Sequence, residues 1–184
     1  MKKTLIVIVI VVALFALYGL GVYNGLVGLN EQINSQWAQV ETQYQRRFDL
    51  IPNLVESVKG VMKQEQAVFD SIAEARTRYA GAQTTDEKAA AAGQVESALG
   101  RLLVITENYP QLKSADTVQT LMSQLEGTEN RIGVERKRYN DYVQNYNVRV
   151  KKLPSSIIAG LTGFDEHSYF EAAAGSENAP SVEF

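Results

Sequence analysis

The side chains able to do chemistry are few and poorly grouped. His167 is the one histidine, and Asp165 and Glu166 stand beside it. A carboxylate–imidazole set can hold a metal or move a proton, but neither a second histidine nor a cysteine supports this one. A solvated tail histidine is expected. Glu126 and Glu129 lie three apart, on one face of a helix. An acid/base pair would need one of the two shifted by burial, and the polar surroundings predict plain surface carboxylates. Nucleophilic triads, glycine-rich phosphate loops and zinc spacings are absent from the sequence. No catalytic, cofactor-binding or metal-binding residue is therefore expected, and no enzyme.

Other residue types recur with more regularity. Tyr139-Asn140 and Tyr146-Asn147 are a heptad apart and share a helix face, with Tyr142 and Asn145 nearby; Tyr23-Asn24 repeats the pair earlier. The ordinary reading is core tyrosines with amides at the boundary. The sharper one is that buried asparagines set helix register or a subunit contact, as a polar residue does in a coiled-coil seam. Trp37, a core candidate, and the adjacent Arg46 and Arg47 join Tyr139, Asn140, Tyr146 and Asn147 as candidate oligomer or register contacts. Between Arg131 and Lys152, seven basic residues face only Glu135 and Asp141. A solvated face, favoured by the negative end of a helix dipole, accounts for them. Yet Arg149, Lys151 and Lys152 run directly into an apolar segment carrying Ile157, Ile158, Leu161 and Phe164. Basic residues beside a short apolar stretch suit a membrane surface, so these seven are candidate lipid contacts.

The elements that must position these residues are helical. The chain has 184 residues with a formal charge of −3 and no cysteine. That length gives one domain and an anchor. The mild acidity carries no nucleic-acid signature, and disulfide or thiol chemistry cannot contribute. Abundant Ala, Gln, Glu, Lys, Arg and Leu favour helix, and no strand pattern or sequence repeat is apparent.

Thr4 to Tyr23 carries no charge. About twenty such residues suffice to cross a hydrocarbon core of roughly 30 Å. The run exceeds an ordinary signal-peptide core and lacks a small-residue cleavage site, which favours a retained anchor. Lys2 and Lys3 precede it and no Lys or Arg follows until Arg46. The positive-inside rule then predicts a cytoplasmic N-terminus and an outward domain.

Beyond the anchor, Leu26, Leu29, Ile33, Trp37, Val40, Tyr44 and Phe48 step by three or four. That is one face of a helix. The stripe continues through Ile51, Val55, Val58, Met62, Phe69 and Ile72 and predicts an arm ending near Tyr79. A polar turn follows, with Thr85 or Asp86 as N-cap. A second arm runs to about residue 152. Pro52 and Pro110 interrupt the arms at matching distances from the turn. Asp49 with Pro52, and Asn108 and Tyr109 with Pro110, are the candidate helix joints; Ser114 and Asp116 could cap a fresh start. The apolar phase is kept across Pro52, which favours a kink over a reversal. Sharp joints would give a four-helix bundle, shallow ones an elongated antiparallel hairpin. The expected fold is all-α, with a single transmembrane helix ahead of one of these two forms.

The sequence resembles the LemA family of bacterial membrane proteins. "YNGLVGLNEQINSQWAQVETQYQRRFDLIPNLVESVKG" looks like the family's first motif. "ENYPQLKS", "TENRI", "RYNDYVQNYN", "LPSSIIAGLTGF" and "YF" follow in order. The resemblance implies a membrane helix followed by an all-α bundle, with no established activity or cofactor. It implies a short N-terminus on the outer side, opposite to the charge argument. Some relatives are linked to magnetosome membrane formation.

The expected organisation is a basic N-terminus over 1–3, a membrane helix over 4–23 and a helical domain over 24–152. A short apolar segment over 153–170 and an acidic, disordered tail over 171–184 complete it. The expected role is a self-associating scaffold anchored in the bacterial inner membrane, with the bilayer and further copies of the chain as partners. The other role is an adaptor or regulator docking a second membrane protein, such as a protease or sensor.

Overall fold

The computed structural model describes residues 2–113 and 115–170. The acidic tail expected over 171–184 and the cap expected at Ser114 lie outside the described residues. Those residues form six helices and no strand: α1 (Lys2–Lys59), α2 (Gln66–Gly81), α3 (Thr85–Thr106), α4 (Pro110–Lys113), α5 (Asp116–Lys151) and α6 (Ser155–Thr162). α1 opens with the apolar run, whose side chains are almost entirely uncovered. It is the one described helix long and apolar enough to cross a membrane.

Two compact units form. Residues 2–38 and Lys137–Tyr169 make the first; Gln39–Arg136 with Phe170 makes the second. The helical domain expected over 24–152 is thus shared between them.

Heptad repetition explains why α1 and α5 pair. Leu26, Ile33, Val40, Arg47 and Leu54 recur every seventh residue of α1, and all are buried. Val118, Leu125, Ile132, Tyr139 and Tyr146 do the same on α5. Apolar side chains at this spacing keep one face of each helix turned to its partner. In the first unit α1 meets α5 antiparallel: the Trp37 and Tyr139 rings pack edge-on at 5.7 Å, and Arg149 lies beside Gly25.

In the second unit the last part of α1, α2, α3 and the first part of α5 share a core. It is built from residues such as Ile51, Leu54, Ile72, Val95, Leu102 and Leu125. Phe48 and Tyr79 rings, 4.5 Å apart, join α1 to α2. The α2–α3 turn ends in a capping box. Glu87 N–H donates to Thr84 Oγ1 at 3.2 Å, while the Glu87 carboxylate accepts from Gln83 and Thr84 N–H at 2.8 and 3.1 Å. Two orphan donors of the helix start are thereby satisfied beyond the backbone ladder. The cap is Thr84, one residue before the expected Thr85.

The joint expected at Asp49 and Pro52 is not where the chain reverses. α1 runs unbroken past both, and both are solvent-exposed. The arm expected to reach Tyr79 instead ends at Lys59, and the reversal occupies 60–65. Val61 and Met62 N–H both donate to the Val58 carbonyl at 3.0 and 2.9 Å, and Glu65 N–H closes onto Met62. Met62 is fully buried inside this turn. Burial of a turn residue keeps the apolar phase of the sequence while the backbone departs from the helix. At the other break, Asn108 and Tyr109 lie between α3 and α4, and Pro110 starts α4, where its missing N–H costs nothing.

Candidate functional site

Polar clusters interrupt the apolar packing in both units. In the second unit, Arg47 occupies a core heptad position of α1. The matching seam of α5 reads Met122, Glu129, Arg136, Val143, so two charges interrupt it. Arg47 donates to Glu129 in a part-buried ion pair. Arg136 donates to the Tyr44 hydroxyl through Nε at 2.9 Å and Nη2 at 2.5 Å, and to Glu96 of α3 at 3.1 Å. Glu96 and Glu129 influence each other's titration, so the five side chains form one electrostatic network.

Burial pushes Glu129 above the ordinary carboxylate range; Arg47 pulls the other way, and neighbouring Glu96 adds to the rise. Glu96 is also desolvated, yet its interaction with Glu129 and the charges of Arg136 and Arg47 hold it low. The two carboxyls therefore titrate as a coupled pair. Burial raises the Tyr44 hydroxyl too, against the pull of Arg136. A cleft of about 390 Å³ opens next to this network. Leu54, Leu99 and Leu103 form its apolar wall, and Glu96, Glu126 and Glu129 supply the carboxylates. Glu129, expected at a solvated surface, is thus a half-buried partner of Arg47 (its side chain 37% exposed).

In the first unit the cluster centres on His167, which is not a solvated histidine. Asn147 Nδ2 donates to the His167 carbonyl at 2.8 Å, and the His167 N–H donates to Asn147 Oδ1 at 2.9 Å. The imidazole Nε2 lies 2.7 Å from Asn30 Oδ1 on α1. Its ring packs edge-on against Tyr146 at 4.9 Å. Asn147 and Tyr146 are buried. One amide thus reproduces a strand-like pair of hydrogen bonds and holds the segment after α6 on α5. Signals for this existed in the Tyr146-Asn147 pair; nothing in the spacing tied it to His167.

The remaining candidates are distributed as follows. Tyr139 is buried and Trp37 half-buried against each other within the chain, and Asn140 is half-buried. Arg46 is exposed beside a groove with Leu50 and Arg131. Arg149, Lys151 and Lys152 are exposed at the end of α5, with Lys151 paired to Glu166 at 2.7 Å. α6 splits its apolar residues. Ile158 is buried, with its Cδ1 beside Gly19, and Phe164 packs edge-on against Tyr23 at 5.7 Å. Ile157 and Leu161 point outward. Among the described residues no group of His, Asp and Glu suits a metal ion.

Comparison with known proteins places this architecture. The model of the LemA family matches residues 36–184. The chain is 27% identical to the magnetosome proteins MamQ 1 and MamQ 2 of Paramagnetospirillum magneticum, over 81% of its length. It is 29% identical to magnetosome protein MamQ of Magnetospirillum gryphiswaldense, over 80%. In each case it spans 64% of the relative's length.

Proposed function

The chain belongs to the LemA family and is a membrane-associated, all-helical protein; from that premise we propose that it is a non-enzymatic scaffold that self-associates and organises or shapes the bacterial inner membrane. The observation that carries the proposal is apolar surface left on helices whose other faces are already packed. Leu103 and Val104 of α3 and Val134 of α5 are exposed in the second unit, and Val148 of α5 in the first. Each helix has used its core face within the chain, which leaves these side chains available to another molecule. Anchoring confines copies to one plane, which raises their effective concentration. The relatives named magnetosome proteins are consistent with a role at a shaped membrane. The ionisable groups support the same reading: Arg47, Glu129, Glu96, Arg136 and Tyr44 are spent on one another.

Size measurement of the full chain in mild detergent tests the proposal. The expected result is a multi-copy particle that Val104→Lys and Val134→Lys shift towards monomer. A monomer at all concentrations overturns it.

The acidic, leucine-walled cleft favours a second reading, an adaptor that docks a basic amphipathic segment of another membrane protein. Crosslinking would then recover a stoichiometric partner lost on Leu103→Lys, while the chain itself remains monomeric.

A further inference from the structure

α6 stands out because it presents two apolar faces. Ser155, Ile158 and Ala159, at i, i+3 and i+4, are buried. On the opposite side Ile157 and Leu161, spaced by four, are 50% and 77% exposed, and Leu153, in the turn just before the helix, is 72% exposed. Eight residues cannot be apolar all round in water without cost, unless something covers the second face.

The helix is held firmly despite its length. Ser155 Oγ reaches the carbonyls of Arg149 and Lys152 at 2.6 and 2.7 Å, tying the start of α6 to the end of α5. Gly163 ends it in the left-handed region (φ 74°), and the N–H groups of Gly163 and Phe164 both return to the Ala159 carbonyl. The orientation of the exposed stripe is therefore fixed.

Its height against α1 is fixed as well. Ile158 Cδ1 lies 3.5 Å from where a Cβ on Gly19 would be, and Phe164 meets Tyr23. Arg149 Nη2 lies 3.6 Å from the corresponding point on Gly25. Gly19 and Tyr23 belong to the uncharged run that crosses the bilayer, and Gly25 lies just past it. Gly19 is four residues inside the end of that run, which at about 1.5 Å per residue is roughly 6 Å. Interfacial helices lie about 5–10 Å into the headgroup and acyl boundary. α6 is thus pinned at the depth such a helix occupies, with the guanidinium of Arg149 one step higher, at headgroup level.

We infer that α6 and the turn before it form an interfacial foot: Leu153, Ile157 and Leu161 insert into the outer part of one bilayer leaflet, while Arg149 and Lys152 meet lipid phosphates. The inference rests on the membrane reading of the apolar run. It assigns lipid contact to Leu153, Ile157 and Leu161 and withdraws it from Ile158 and Phe164, which serve to fix the depth. A wedge seated in one leaflet only would also bias that leaflet towards curvature.

The absence of cysteine in the sequence makes the test direct. Leu153→Cys, Ile157→Cys and Leu161→Cys are spin-labelled one at a time in the full chain, reconstituted in phosphatidylethanolamine–phosphatidylglycerol vesicles. Labels at Leu14→Cys in the apolar run and Glu74→Cys on α2 serve as references. Accessibility to oxygen, which partitions into lipid, is compared with that to a water-soluble nickel chelate. The expected result is an oxygen-to-nickel ratio severalfold above that at position 74 and approaching that at position 14. Labels as open to nickel as position 74, with position 14 still lipid-like, overturn the foot alone. Labels shielded from both reagents show a protein covering the stripe and also overturn it. A position 14 label open to nickel overturns the membrane reading and this inference together.

Discussion

Arg47 of α1 and Glu129 of α5 close an ion pair from heptad positions that should carry apolar side chains. The Arg47 side chain is only 8% exposed, so its charge depends on that partner. Arg47→Leu leaves a carboxylate that is 37% exposed and can partly resolvate, whereas Glu129→Leu strands a buried guanidinium. Glu129→Leu should therefore be the more costly, by roughly 3 kcal/mol against about 1–2 for Arg47→Leu. The double substitution should be milder than Glu129→Leu alone. Thermal unfolding of the four chains in detergent measures this, and a strictly additive double variant contradicts it.

The Glu96–Glu129 pair predicts opposite pH signatures. Glu129 is raised from its ordinary 4.5, so its contribution is complete below that value and is lost as pH rises through the folded value. Glu96 is lowered, so its contribution is present above 4.5 and is lost as pH falls through the folded value. Glu96→Gln should therefore be most damaging at neutral pH and lose its effect in acid. Glu129→Gln, which mimics the protonated form, should be nearly neutral in the Glu96 contact throughout. Urea titrations at about pH 3 and pH 7, on either side of the carboxylate range, check the two signs.

Asn147 predicts a local effect. Asn147→Ala removes both hydrogen bonds to His167 and orphans an N–H and a carbonyl, at a cost of about 2 kcal/mol. Hydrogen exchange should rise over 164–170 while the α2–α3 core is unchanged. Asn147→Asp keeps the acceptor for the His167 N–H but loses the donor, and should fall between.

Two glycines of one segment should respond in opposite directions. Gly163 has φ 74°, so Gly163→Ala should cost about 1–2 kcal/mol. Gly160 lies within α6, and a Cβ there meets nothing within 4 Å. Gly160→Ala should stabilise by about 0.5–1 kcal/mol through helix propensity. Melting curves of the two variants separate the effects.

The helical class, the apolar run and the continuity of α1 across Pro52 were legible because they are carried by local periodicity. The reversal at 60–65 was not, since Met62 is buried in the turn and preserves the apolar phase that normally marks an unbroken helix. The polar clusters were legible only in part. Arg47 and Asn147 were candidates from their setting beside Pro52 and Tyr146. Glu129 and His167 read as solvated groups in the sequence, because partners of theirs lie 82 and 137 residues away. The signal for Glu129 was present: with Arg136 it breaks a seven-residue apolar seam, and opposite charges in such a seam imply partners across it.

That broken seam has a further consequence. A strictly periodic pair of helices is degenerate, because sliding one by a full repeat presents the same pattern and nearly the same energy. The α5 sequence removes this degeneracy within the second unit. A slip of one repeat in one direction would set Arg47 against Arg136, like charge against like. A slip in the other would set it against Met122, leaving a buried cation alone. Both alternatives cost more than the ordinary packing difference between leucine and valine. The ion pair thus works as an address: whatever it adds to stability, it leaves the two helices a single place to dock.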